Sequence, residues 1–211
     1  MKKAIAFDFD GTLLDSKFRH QKVLFDILKE EDIDIELDEL DDFVQYKAKG
    51  QNTESYLKEK YKDKIGISKV VDKWICNIEN MEYLDLDKLY EGSRELLSDL
   101  NNLYDLYLVT ARSNKVNSLE QIKKQGILKY FKKVFVVAND GNCAFNKYNK
   151  TKDLGIVTVI GDTEVDLEWA KYLDVNFLPV IHGFRDSIWW RDKNIETYQD
   201  LENIRCKLLD K

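Results

Sequence analysis

Apolar and polar positions along this chain follow two different rhythms. Residues 4–9, Ala-Ile-Ala-Phe-Asp-Phe, are a short apolar run that breaks into acids, the pattern of a buried parallel strand. From residue 17 to about 90 such runs vanish. Val23-Leu24, Ile27-Leu28 and Phe43-Val44 recur at helical spacing, as do Val70-Val71, Trp74-Ile75 and Ile78, with Lys, Asp and Glu on the opposite faces. From Leu96 onward strands and helices alternate, with strands predicted at residues 106–109, 134–137, 157–160 and 177–181. Alternation predicts an α/β protein with a doubly wound parallel sheet, and the helical stretch predicts a smaller α-helical domain inserted after the first strand.

Composition narrows the function more than the fold. A chain of 211 residues can bury one full core and a smaller appendage. Lys and Arg total 33 against 39 Asp and Glu, a net charge of −6, which argues against nucleic acid as the main partner. Cys76, Cys143 and Cys206 are widely spaced and odd in number. They are expected as buried or neutral thiols in a reducing compartment rather than disulfide or zinc ligands. Met1-Lys2-Lys3 leads directly into the first strand and no apolar run approaches membrane-spanning length, so a cytoplasmic protein without a signal peptide or membrane partner is expected.

The candidate chemistry lies in two acidic motifs, Phe7-Asp8-Phe9-Asp10-Gly11-Thr12 and Ile160-Gly161-Asp162-Thr163-Glu164-Val165-Asp166. A single acid after an apolar strand is ordinarily a helix N-cap or turn former, and Asp162 alone is open to that reading. Asp8 and Asp10 are different. They alternate with Phe7 and Phe9, so both point to one side of the strand end. Two acids there are costly to bury without a ligand. Carboxylates gathered from two strand ends suit a hard, oxygen-liganded cation such as Mg²⁺.

These motifs resemble those of the haloacid dehalogenase (HAD) superfamily of phosphotransferases. Asp8-Phe9-Asp10-Gly11-Thr12 is similar to its first motif, DxDGT, and Gly161-Asp162 with Asp166 to its fourth. Tyr107-Leu108-Val109-Thr110-Ala111-Arg112 is similar to the second, an apolar strand ending in Thr or Ser. The resemblance covers essentially the whole chain. It implies a Rossmann-like HAD core of residues 1–15 and 91–211 with a helical C1 cap of residues 16–90. It also implies a Mg²⁺-dependent phosphatase of the phosphoglycolate-phosphatase-like branch, acting on a small phosphomonoester metabolite through an aspartyl-phosphate. In that reading Asp8 is the nucleophile and Asp10 the acid and base. The metal ligands are Asp8, Asp10 through its backbone carbonyl, Asp162 and Asp166, while Thr110, Ala111 and Arg112 hold the phosphoryl group. Dehalogenase members lack the second Asp of the first motif, so Asp10 implies phosphoryl chemistry.

The third motif, a Lys, departs from the pattern. Members of that branch carry Lys-Pro before a long helix, but the only proline here is Pro179. Lys147 is the expected catalytic Lys, leaving room for a short helix after it, with Lys150 as the alternative. In the cap, Lys47, Lys49 and Gln51 are candidates to read the organic part of the substrate; a solvated helix end with Thr53 as N-cap is equally open. His20, next to Arg19, falls where sugar-phosphate mutases of the superfamily also carry a His, although a plain surface role is open. His182-Gly183-Phe184-Arg185 resembles the Gly-Phe/Tyr-Arg turn after the last core strand of phosphoglycolate-phosphatase-like members. Trp189-Trp190 reads as packing or an oligomer contact.

The cap is expected either to close as a lid hinged near residues 16–17 and 90–92, or to sit as a rigid subdomain. Three other functions compete with the phosphatase. They are a sugar phosphomutase, a phosphonate hydrolase with a Schiff-base lysine at Lys47 or Lys49, and a non-catalytic phosphate-binding protein. Monomer and homodimer are both open.

Overall fold

The apolar run at the start of the chain becomes the middle of a sheet. In the computed structural model, which describes residues 2–62 and 64–209, the elements in chain order are as follows. Strand β1 (Ala4–Phe7) and the two-residue β2 (Leu14–Asp15) precede α1 (Lys17–Glu30), α2 (Asp41–Ala48), α3 (Thr53–Tyr61), α4 (Ile67–Asn77) and α5 (Met81–Leu84). The two-residue β3 (Lys88–Leu89) leads to α6 (Ser93–Leu103), β4 (Asp105–Ala111), α7 (Lys115–Lys124), β5 (Lys133–Val137), α8 (Cys143–Thr151) and β6 (Ile156–Gly161). The chain ends with α9 (Glu164–Leu173), β7 (Asn176–Pro179), α10 (Ser187–Arg191) and α11 (Leu201–Leu209).

Five strands form one sheet in the order β5-β4-β1-β6-β7, and every pairing is parallel. The fold is therefore the expected α/β arrangement, a parallel sheet with a helical insert. The chain builds outward from β1 on one side, then crosses to the other, so the order reverses between β1 and β6. In open α/β sheets the ligand crevice forms at that reversal, beyond the carboxyl ends of the strands. Asp8 and Asp162 follow those two strand ends directly.

Strand alternation divides the core. Ile5, Phe7 and Phe9 pack with Leu106, Leu108 and the buried leucines of α6 on one face. Ala4 and Ala6 pack with Val109, Val159 and Trp169 on the other. The insert has a cluster of its own. Val23, Leu24, Ile27 and Leu28 form one stripe of α1 and bury against Phe43, Tyr56, Leu57, Val70 and Ile78. Each such side chain contributes on the order of 1.5–3 kcal/mol when fully buried, before the entropy of ordering is set against it.

The observed strands run up to two residues beyond most of the predicted ones. The exceptions are at β1, which stops at Phe7, and at β7, which stops at Pro179, where the chain turns so that Val180 bridges Tyr198. The pairing of β2 with β3 had no signature in the sequence. It joins Leu14 to Leu89 and Asp15 to Lys88 in antiparallel register, and two residues per strand are too few to show a period. Of the tryptophan pair, Trp190 is buried against Phe177, the packing alternative. The expectation of buried thiols is corrected for Cys76 and Cys206, which are exposed, because each lies on the outer side of its helix, α4 and α11.

Candidate active site

The first motif places its acids through a tight turn. Beyond β1, the Phe9 carbonyl accepts from the N–H groups of Thr12, Leu13 and Leu14, which turns the chain at once and leaves Asp8 at the strand end. Gly11 sits at φ +80°, and a Cβ there would lie 2.1 Å from Asp162 Oδ2. Only glycine suits both the backbone angle and that approach. The fourth motif is fixed by a helix cap. Thr163 is the N-cap of α9 and Asp166 completes a capping box with it, accepting from Thr163 N at 3.1 Å and Oγ1 at 2.9 Å. Asp162 is therefore not the cap, which disposes of the plain reading of that residue.

Asp8, Asp162 and Asp166 are all buried, and one oxygen of each lies within 4.8 Å of the others. Lys147 is the cation among them: its Nζ is 2.5 Å from Asp8 Oδ1 and 2.7 Å from Asp166 Oδ1. Lys150, the alternative, is exposed. The helix around Lys147 begins at Cys143, five residues earlier than a helix starting after the lysine would. Burial raises Asp8 to about 7; Lys147 offsets part of that rise and the charge of Asp166 adds to it. Asp162 is driven well above the ordinary carboxylate range, by burial first and then by Asp8 and Asp166. Lys147 is held above its usual value although burial opposes it, because Asp166 and Asp8 flank it. With all three carboxylates ionised, they and the one ammonium would carry a net charge of −2, which burial disfavours without a cation. A hard divalent cation fits both that charge and that oxygen set.

Asp10 does not join this cluster through its side chain. Arg112 grips its carboxylate with Nε at 2.7 Å and Nη2 at 2.6 Å, and Arg19 Nη2 lies 2.5 Å from the same group. Burial alone would raise Asp10, but the charges of Arg112 and Arg19 prevail and bring it to about 2. In this arrangement Asp10 is an ionised base. The expected acid role requires the arginines to release it. Thr110 Oγ1, 3.4 Å from Asp10 Oδ2, completes this second group.

Above both groups is a cavity of about 230 Å³ whose lining includes Asp8, Asp10, Thr110, Ala111, Arg112 and Lys147. Its roof comes from the insert, with His20, Trp74 and Ile78, and Phe184 closes one side. A larger open groove of about 890 Å³ runs past Tyr90, Arg94 and Arg205. It contains none of the acids that define the site. His20 Nδ1, Trp74 Nε1 and Arg112 Nη1 are shielded from solvent without a hydrogen-bond partner. His20 lies against the rings of Trp74 and Phe184, and its pKa is far below the usual value because of burial and then the charges of Lys47, Arg19 and Arg112.

Lys49 and Gln51, expected to read the substrate, are exposed and outside the cavity lining. They lie past the end of α2, whose inward positions are Phe43 and, one turn on, Lys47. The Lys47 ammonium stands 5.1 Å from the Trp74 ring and 5.7 Å from the Phe184 ring, and burial lowers its pKa to about 7. Asn52, not Thr53, caps α3, accepting from Ser55 N at 2.8 Å. The sequence reading also gave no role to Arg19, Trp74 or Glu79. Arg19 falls one turn before Val23 on the buried stripe of α1, and Trp74 one turn after Val70 on that of α4. A charged or polar-tipped residue in register with a buried stripe was the available signal.

The comparisons with known proteins give the family and the fold. The sequence matches the haloacid dehalogenase-like hydrolase family over residues 2–174, while a search of curated proteins gives no match. Among solved structures, a Clostridium difficile protein proposed to be a phosphatase is similar at 24% identity and TM-score 0.81, over 99% of each chain. The haloacid dehalogenase-like protein SP0104 of Streptococcus pneumoniae is 19% identical at TM-score 0.77, over 98% of each chain. YfnB of Bacillus subtilis, whose structure has magnesium bound and reveals interdomain movement, is 16% identical at TM-score 0.68, over 100% of this chain and 99% of its own. No helix of the described residues is long and apolar enough to cross a membrane. With its acids at the reversal point of a parallel sheet and a family match spanning most of its length, this chain belongs to the haloacid dehalogenase-like hydrolases.

Proposed function

We propose that the protein is a Mg²⁺-dependent phosphatase that hydrolyses a compact phosphomonoester through an aspartyl-phosphate on Asp8, with residues 16–90 as its cap. One observation carries the reading: Asp8, Lys147, Asp162 and Asp166 converge from three separate segments beneath a cavity roofed by the insert. Asp8 and Asp162, with Asp166 and the Asp10 backbone carbonyl as further donors, would hold Mg²⁺, which when bound supplies positive charge against the transferring phosphoryl oxygens.

Asp8, at the end of β1, is the nucleophile, and Lys147 keeps negative charge tolerable around it. Thr110 and the backbone after it receive the phosphoryl oxygens. Asp10, once Arg112 and Arg19 release it, gives a proton to the departing ester oxygen and takes one back from the water that hydrolyses the intermediate. The cavity of about 230 Å³ between core and insert suits a small phosphomonoester metabolite.

Phosphate release from an aryl phosphate, measured with Mg²⁺ and with EDTA, tests the proposal. Turnover should require Mg²⁺ and should vanish in Asp8→Asn, which keeps the side-chain shape. Metal-independent turnover, or full activity in Asp8→Asn, would overturn it. Binding of phosphate with no turnover in any ester would favour the non-catalytic alternative.

A further inference from the structure

The insert is attached to the core along two flanks that differ in kind. On the return flank, Glu79 accepts the backbone N–H groups of Ser113 and Asn114 at the start of α7. Gln121 of α7 donates to the Leu84 carbonyl and to Asp87, and Asp87 pairs with Arg19 at 3.1 Å. These groups are largely shielded, so opening this flank would strand several buried polar partners.

The other flank rests on four consecutive residues, His182 to Arg185. His182 faces the Thr12 carbonyl at 3.0 Å, and its own carbonyl accepts from Lys17. Gly183 runs so close that a Cβ would lie 2.3 Å from Asp162 Oδ2 and 2.4 Å from the Gly11 carbonyl. Phe184 donates its N–H to Asp162 Oδ2 at 2.7 Å while its ring packs on His20. Arg185 holds Glu164 through Nε and Nη2, both at 2.8 Å, and donates its remaining nitrogen to the Lys47 carbonyl at the end of α2. One short strap therefore touches a candidate metal ligand and the cap through adjacent residues.

We propose that the cap opens on the strap flank alone, pivoting on the Glu79–α7 flank, and that Arg185 is a positioning residue that ties closure of α2 to the state of the Asp162 carboxylate. The inference rests on the proposed metal site at Asp8, Asp162 and Asp166. Closure and metal binding are then linked equilibria, so each must favour the other by the same factor. The pivot at the return flank adds to the junctions near residues 16–17 and 90–92, where the chain passes between core and insert and must also turn.

The test is amide hydrogen exchange on the full chain, without and with Mg²⁺, alongside calorimetric Mg²⁺ titration. In the wild-type protein Mg²⁺ should slow exchange in α2 and residues 48–52, and leave residues 113–117 unchanged. Arg185→Gln should speed exchange in α2 and weaken Mg²⁺ binding, each by about five- to tenfold. It should raise KM more than it lowers kcat, and Arg185→Lys, which retains one donor, should recover part of each effect. If Mg²⁺ binds the wild-type protein but leaves α2 exchange unchanged, this inference fails and the metal site stands. Equal acceleration at residues 113–117 in Arg185→Gln would also overturn it, since the insert would then be leaving as a whole. Absence of any Mg²⁺ binding would overturn the metal site and this inference together.

Discussion

Arginine rather than solvent decides the charge of Asp10. Its pKa lies at about 2 instead of the ordinary 3.8, so the folded state binds its proton less readily than the unfolded chain. The pairing with Arg112 and Arg19 therefore stabilises fully above about pH 4 and is lost as pH falls through 2. Urea melts of the wild type and Asp10→Asn should show a pH-dependent gap of roughly 2 kcal/mol near neutrality that closes toward pH 2. A gap independent of pH would mean that the carboxylate is not held this way. Trp74 offers a second check, because its indole N–H is shielded and unpartnered in the cavity roof. Trp74→Phe keeps the ring and removes the donor. If that donor meets the leaving group, KM should rise about two- to tenfold with kcat little changed; an unchanged KM would remove Trp74 from recognition. Asp8, Asp10 and Asp162 could be named from the sequence because acids after apolar strands carry a local signal, whereas Lys147 follows only from the family resemblance, with Lys150 left beside it. Arg19 and Trp74 carried only the weaker signal of a polar group in register with a buried stripe, and the turn at Arg185 was recognisable without its partners, because those contacts exist only once separate elements meet.

The helices of the insert depend on each other more than on the sheet. Ile27 lies mid-stripe on α1, fully buried among insert residues alone. Ile27→Ala should cost about 2–5 kcal/mol by cavity formation. That loss should appear first in the insert. Hydrogen exchange should accelerate across α1 and α4 while β1, β4 and β6 keep their protection; loss of protection in both regions together would show one cooperative unit. The sequence carried this arrangement well, because long helices repeat their apolar positions often enough to be recognised. It carried element ends poorly. Periodicity extends β7 past Pro179, starts the helix around Lys147 late, and moves the cap of α3 by one residue from Asn52 to Thr53. Each of these is set by one hydrogen bond or one turn, and periodicity is blind to both.

At the scale of the whole molecule, the parallel sheet and the placement of the acids beyond strand ends follow from simple alternation, whereas the strand order and the reversal between β1 and β6 do not. Nor can alternation supply how the inserted helices sit over the sheet. The narrow ribbon of β2 and β3 bears on that question in another way. Asp15 and Lys88 are partners across it, so the chain departs from the core and comes back at a single point. Excising the residues between them and joining the ends by a two-residue Asn-Gly turn would leave the sheet connectivity intact and close a far shorter loop. The shortened chain should melt cooperatively and still bind Mg²⁺ in calorimetry, while losing its preference among phosphomonoesters. Failure to fold would show that the core needs the insert. Success would make the insert an exchangeable module, grafted on a single stem, through which one hydrolytic core could be given new substrates without rebuilding its chemistry.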